Sequence, residues 1–192
     1  MKLIDFNKRV FDFILAFLLL LIFMLPMLFI GLLVKVTSYG PAIYSSIRIG
    51  RKNQPFEMPK FRSMLIDTPQ VATDRLVDAH KYLTPIGHFL RKSSLDELPQ
   101  LWSILVGDMS FVGPRPALFN QDELVHMRTK LGIDFLRPGL TGWAQINGRD
   151  ELSNEDKVQF DLEYKNSQSL FFDLRIMGLT FVRVFFQEGI SH

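Results

Sequence analysis

A chain of 192 residues with a net charge of only +2 and no cysteine has room for one compact domain and an appendage, and too little for two ordinary domains. The charge is too small to argue for a nucleic-acid partner. Without cysteine there are no disulfides, thiol nucleophiles or thiolate metal sites, as suits a cytoplasmic catalytic part.

An apolar stretch comes first. Residues 13–34 carry no charge, and as a helix they would extend roughly 33 Å, enough to cross a bilayer core. The stretch is too long for a cleavable signal, and no small-residue cleavage site follows it. Lys2, Lys8 and Arg9 precede it; Lys35, Arg48, Arg51 and Lys52 follow, so each flank asks to be cytoplasmic. Pro26 deletes a backbone hydrogen bond near the middle, and a bend is expected there. A helix-break-helix hairpin entering and leaving by one leaflet satisfies both flanks; an ordinary spanning helix with a tolerated proline is the alternative, and the local sequence leaves the two even.

Gly40-Pro41 punctuates the exit. Residues 42–49 alternate Ile43, Ser45, Ile47 and Ile49, and Phe56 and Met58 resume the alternation after a polar turn, which predicts a β-hairpin closed by residues 60–64. Residues 67–82 are polar, with helical potential around 73–82. A polar helix is expected over 118–131 and a loop–strand–loop over 137–149. Helices are expected over 154–165 and 170–187. In the last of these Leu170, Phe171, Leu174, Met177, Phe181, Val182 and Phe185 leave only a narrow polar stripe, which favours a helix lying in the membrane interface, with Leu98 to Leu105 and Trp102 beside it.

The chemistry concentrates in residues 94–116. Asp96-Glu97 precede a short apolar segment, which runs into Gly113-Pro114-Arg115-Pro116. A carboxylate able to attack phosphorus and a cation able to grip phosphate oxygens are minimal equipment for phosphoryl transfer. Ser94-x-x-Glu97 also fits a capping box, which would make the pair a structural cap; a helix beginning at Pro99 is the alternative. Either arrangement puts the carboxylates at a helix N-terminus, which favours anions. Two prolines fix the backbone of Arg115. Arg137 and Arg149 flank a glycine-rich run, and Lys60, Arg62 and Arg91 add positive charge suited to a pyrophosphate. The four histidines lack metal-ligand spacing, and neither a Ser-His-Asp nor a Walker pattern is present.

Taken together, Lys8-Arg9-x-x-Asp12, Arg48-x-Gly50, residues 60–64, 94–101, 107–116 and 137–149 resemble the small monotopic phosphoglycosyl transferases of the bacterial sugar transferase group, over nearly the whole chain. The resemblance implies an α+β, mostly helical fold: a reentrant membrane hairpin over 1–38, then a catalytic domain over 39–192 with interfacial helices and a small β-hairpin or sheet around the site. It implies transfer of a phosphosugar from a UDP-sugar to polyprenyl phosphate, with UMP released and Mg²⁺ required. The setting is the cytoplasmic face of the bacterial inner membrane, among its lipids. A homo-oligomer stays open.

Carried over, Asp96 is the nucleophile, forming a covalent phosphosugar intermediate, and a Mg²⁺ ligand; Glu97 is its catalytic partner. Lys60, Arg115 and Arg149 match phosphate-holding positions, and Asp161 a further carboxylate. Arg62, Arg91, Pro114, Pro116, Arg137 and Gln145 complete the expected substrate-binding set. Two departures stand out: family members commonly break the membrane helix at Ser-Pro, where this chain has Leu25-Pro26, and Ser46 replaces a usual glutamine before Arg48. Competing readings are a scaffold that kept the fold and a glycosyltransferase that would release UDP.

Overall fold

The computed structural model describes residues 3–69, 78–148 and 152–186. Helix α1 (Leu3–Thr37) holds the apolar stretch as one element of 35 residues, with Pro26 inside it. No non-helical residue interrupts it, so the expected break is absent as a separate element. One side of α1 packs on the rest of the chain. Ala16 belongs to the main core, with Leu15, Leu19 and Leu20 against it, while Ile30 and Val34 form a second cluster with Phe61 and Leu90. The other side is bare: Ile22, Leu25, Leu28, Phe29, Leu32 and Val36 are each 60 % or more exposed, which fits a lipid-facing surface.

Polar contacts fasten both ends of α1 to the same body. Near the start, Lys8 Nζ lies 2.6 Å from Asp173 Oδ2 and Arg9 donates to the carbonyls of Ile104 and Leu105. Asp12, 1 % exposed, accepts from the Phe111 N–H. At the far end Arg62 donates to the Ser38 carbonyl and hydroxyl and to the Tyr39 carbonyl.

Strands β1 (Ile43–Ile49) and β2 (Pro55–Phe61) form the expected hairpin, with Ile43 opposite Phe61 and Ile49 opposite Pro55. Lys52 and Asn53 make its turn in the left-handed region. Helix α2 (Gly87–Lys92), a 3-10 turn (Leu95–Glu97) and α3 (Gln100–Val106) follow. Strand β3 (Ser110–Val112) pairs in parallel with β5 (Gly139–Thr141), whereas β4 (Ala117–Leu118) joins the free edge of β1. Because β4 claims residues 117–118, α4 (Asp122–Lys130) begins four residues later than the sequence suggests. A short helix α5 (Trp143–Ile146) closes what was read as loop. Helices α6 (Asn154–Ser167) and α7 (Leu170–Phe186) complete the fold, the former capped by the Ser153 hydroxyl. On α7 Ile176 and Asp173 are buried while Phe171 is 80 % and Phe181 72 % exposed. Half of the expected helix over 73–82 lies outside the described residues; its end is a 3-10 turn, Ala79–Tyr82.

The main core gathers Met58, Leu101, Ile104, Met109, Phe111, Val112, Ile146, Tyr164 and Ile176. It joins the hairpin, α3, β3, α5, α6 and α7 into one support, and the carboxylate pair sits at its edge.

Candidate active site

The capping box does not form. Ser94 stands in the left-handed region (φ 56°) and makes no side-chain cap, and Pro99 occupies the N-cap position of α3. This leaves Asp96 and Glu97 on a tight turn between α2 and α3. Asp96 is 7 % exposed. Burial pushes its pKa up to about 6; Lys60 pulls it back, Glu97 raises it further, and Arg91 and a backbone N–H lower it. Glu97 is paired with Lys60 of β2, whose Nζ donates to Oε1 at 2.6 Å. The hairpin thus brings a cation, and the turn a half-shielded anion, to the same point.

The Pro-Arg-Pro loop is fixed by its carbonyls. Pro114 and Pro116 have no N–H to give, and each of the three consecutive oxygens is claimed by a different element. Pro114 O accepts from Gly139 N at 2.9 Å, Arg115 O from Arg128 Nη1 at 2.8 Å, and Pro116 O from Arg48 Nη1 at 3.3 Å. Gly113 and Gly139 let β3 and β5 approach so closely that a Cβ on Gly139 would lie 2.1 Å from Gly113 N. Arg115 itself is exposed, so a clamped backbone carries a side chain reaching outward. It lines one small cavity with Glu97, Gln100, Arg48, Met58, Pro116, Gly139 and Leu140, and a second, on the other side of the loop, with Asn53, Arg128 and Asp134.

Arg128 explains Asp161. This carboxylate, 1 % exposed, accepts from Arg128 Nε at 2.9 Å and Nη2 at 2.6 Å through Oδ2. Burial raises its pKa, with Arg128 opposing. Asp161 therefore reaches the loop through Arg128, whose third nitrogen holds the Arg115 carbonyl.

The other expected residues divide. Arg91 lies close enough to Asp96 to act on its charge and also approaches the Met64 sulfur. Arg62 is 4 % exposed and committed to the carbonyls that end α1, a cap in place of the expected phosphate ligand. Arg137 donates to the Gly107 carbonyl at the C-terminal end of α3. Burial lowers its pKa, aided by Arg51 and Arg9, so it belongs with the start of α1 and not with the carboxylates. Gln145 donates to Leu140 O behind β5. Arg149 lies outside the described residues.

Three participants escaped the sequence reading as site residues: Arg48, Arg128 and Gln100. Gln100 is 2 % exposed and its Nε2 has no hydrogen-bond partner, an arrangement that costs about 1–3 kcal/mol in a folded protein. No group of three or more His, Asp or Glu positioned for a metal occurs among the described residues. Asp96 and Glu97 suit a hard cation that takes one or two protein carboxylates and completes its shell from phosphates and water, as Mg²⁺ does.

A buried carboxylate with a raised pKa, a lysine-held partner and an outward arginine on a clamped loop are groups chemically suited to phosphoryl transfer. Comparison with known proteins gives the family. The chain is 38 % identical over 184 residues to the uncharacterized sugar transferase EpsL of Bacillus subtilis, covering 96 % of this chain and 90 % of that protein. It is 39 % identical over 189 residues to the UDP-glucose:undecaprenyl-phosphate glucose-1-phosphate transferase of Escherichia coli, where it covers 95 % of this chain but only 41 % of the relative. Similarity to the undecaprenyl-phosphate galactose phosphotransferase of Salmonella typhimurium is 37 % over 201 residues, with 96 % and 41 % covered. The family described as bacterial sugar transferase matches residues 3–187, a span that takes in α1, the carboxylate turn and the Pro-Arg-Pro loop, and to that family this chain belongs.

Proposed function

We propose that the protein moves a sugar 1-phosphate from a UDP-sugar to undecaprenyl phosphate, releasing UMP, at the cytoplasmic face of a bacterial plasma membrane. The observation that carries this reading is the buried Asp96 beside the Lys60–Glu97 pair, within the reach of Lys60 and Arg91 charge. A carboxylate in that setting is under-solvated and hence a better nucleophile than one in water.

The Asp96 carboxylate attacks the sugar-side phosphorus. An oxygen–phosphorus bond forms, the bond to the bridging oxygen breaks, and UMP leaves with that oxygen, so the sugar phosphate remains on Asp96. A phosphate oxygen of the lipid then attacks the same phosphorus, and the Asp96 bond breaks to give the diphosphate-linked lipid. Arg115 grips the phosphoryl oxygens, and Lys60 pairs with Glu97 and offsets its charge beside the nucleophile. Asp96 and the substrate diphosphate would together hold Mg²⁺, which when bound neutralises phosphate charge.

The membrane setting rests on α1. Its two ends, near Lys8 and Ser38, are both tied to the catalytic body, whereas a spanning helix would leave one end about 30 Å away across the hydrocarbon. This supports an anchor whose two ends lie on one face of the membrane although α1 runs through Pro26 unbroken, and the exposed Phe171 and Phe181 support an interfacial α7. Incubating the protein with a UDP-sugar panel, undecaprenyl phosphate and Mg²⁺ tests the reading. UMP is expected from one sugar at least, together with a phosphosugar adduct in the intact mass when lipid is omitted; UDP as the product would reject it.

A further inference from the structure

The amide of Gln100 is buried at the first turn of α3 with its Nε2 unsatisfied. The residue is 2 % exposed, its Nε2 has no partner, and it lines a cavity together with Glu97, Arg48 and Arg115. The two arginines are donors only and cannot satisfy another donor. An apolar residue of similar length would fill the same space without the penalty, so the fold gives no reason for an amide here. A ligand does.

We propose that Gln100 contacts substrate, its Nε2 donating to a phosphoryl oxygen of the nucleotide-sugar diphosphate beside Arg115; this rests on the phosphosugar-transfer reading above. The cavity wall offers donors from Arg115 and Gln100 around a carboxylate whose charge Lys60 already offsets. That set matches an acceptor-only group, and a phosphoryl oxygen is one. A sugar hydroxyl, which must also donate, is matched less well. A neutral amide adds a hydrogen bond without adding a third cation beside Arg48 and Arg115.

The test uses the full-length protein in detergent with two substitutions. Gln100→Met keeps length and removes the donor; Gln100→Glu keeps shape and replaces the donor by an anion. Thermal midpoint, kcat/KM for UMP release and the inhibition constant of UDP are measured for each. Gln100→Met is expected to match or exceed the parent in Tm, lose about tenfold or more in kcat/KM and bind UDP correspondingly more weakly, and Gln100→Glu to be worse in both functional readouts. Native kcat/KM in Gln100→Met overturns the proposal. So does a Tm loss or failure to fold in that variant, since the amide would then be structural. Weakened turnover of UDP-sugar with unchanged UDP inhibition also overturns it, moving the contact to the sugar. If the parent protein itself releases no UMP, the activity reading falls first and on separate grounds.

Discussion

Replacing Asp96 by Asn should abolish turnover and stabilise the fold, two effects of opposite sign from one buried charge. The Asp96 carboxyl titrates near 6 in the folded protein against 3.8 for the free group, chiefly because burial withholds water from the anion. That is about two pKa units at ~1.4 kcal/mol each, so ionised Asp96 costs the fold about 3 kcal/mol. Below about pH 4 the group is neutral in both states and imposes no cost. Between about 4 and 6 the unfolded chain ionises while the native one holds its proton, so stability falls as pH rises. Above about 6 the penalty is complete. Asn has the same shape and never ionises. Asp96→Asn should therefore match the parent in Tm near pH 4 and exceed it by about 6–12 °C at pH 8, at 2–4 °C per kcal/mol for a chain of this size. Scanning both proteins in detergent and EDTA at the two pH values reads this directly. Equal Tm at pH 8, or a less stable Asn variant, would refute the desolvation account. UMP release at the parental rate by Asp96→Asn would refute the nucleophile.

Lys60→Met removes the strongest influence holding the Asp96 pKa down; the acid limb of kcat/KM should move to higher pH than in the parent, and an unmoved limb would show that Lys60 does not govern the nucleophile. Arg115→Lys keeps the charge but loses the planar fork, so kcat/KM should drop tenfold or more, about 1.4 kcal/mol of transition-state stabilisation; equal activity would end the phosphate-grip role. Arg128→Lys retains a cation against Asp161 but cannot span Asp161 and the Arg115 carbonyl together. It should cost several-fold in kcat/KM in the parent and clearly less in an Arg115→Lys background, whereas equal losses in both would make the pair purely structural.

Which parts of this the sequence could reveal follows from the range of the forces involved. The hairpin was legible because strand alternation and a polar turn are local signals. Its orientation was not: Ile43 and Ile47, which the alternation marks as the apolar face, are 40 % and 54 % exposed, while Met58 of β2 carries the burial. The carboxylate pair and the Pro-Arg-Pro loop were legible from residue type and spacing, and the motif string around them brought the family. Arg62 was grouped with Lys60 and Arg91 by charge alone, but β2 ends at Phe61 and Arg62 turns to cap α1. Arg128 looked like one more surface charge on a polar helix. The available signal was weak: it lies four residues from buried Leu124, and Asp161 lies three from both Val158 and Tyr164, all buried. Such spacings place each residue on an inward face without saying which partner waits there, 33 positions away in the chain.

The same limit applies to α1, whose polar residues act as parts of the catalytic body. Arg9 donates to the last carbonyls of α3, at the opposite end from the carboxylate turn, where a cation complements the helix dipole. Asp12 holds the Phe111 N–H of β3. Lys8 neutralises Asp173, and the single Tyr164 hydroxyl proton lies between two acceptors, Asp173 Oδ1 at 2.7 Å and Val112 O, at the end of β3, at 3.1 Å. The last two of these chains finish one or two residues before Gly113, where the Pro-Arg-Pro loop begins. The membrane helix therefore braces α3 and β3, the elements from which the Asp96 turn and the Arg115 loop depart. Its outer face is apolar and, among the described residues, uncovered, as a lipid-facing surface would be. Seating that face in the bilayer and setting the geometry of the site are then one packing problem, so a polar substitution at Ala16, buried between α1 and the core, would disturb both at once.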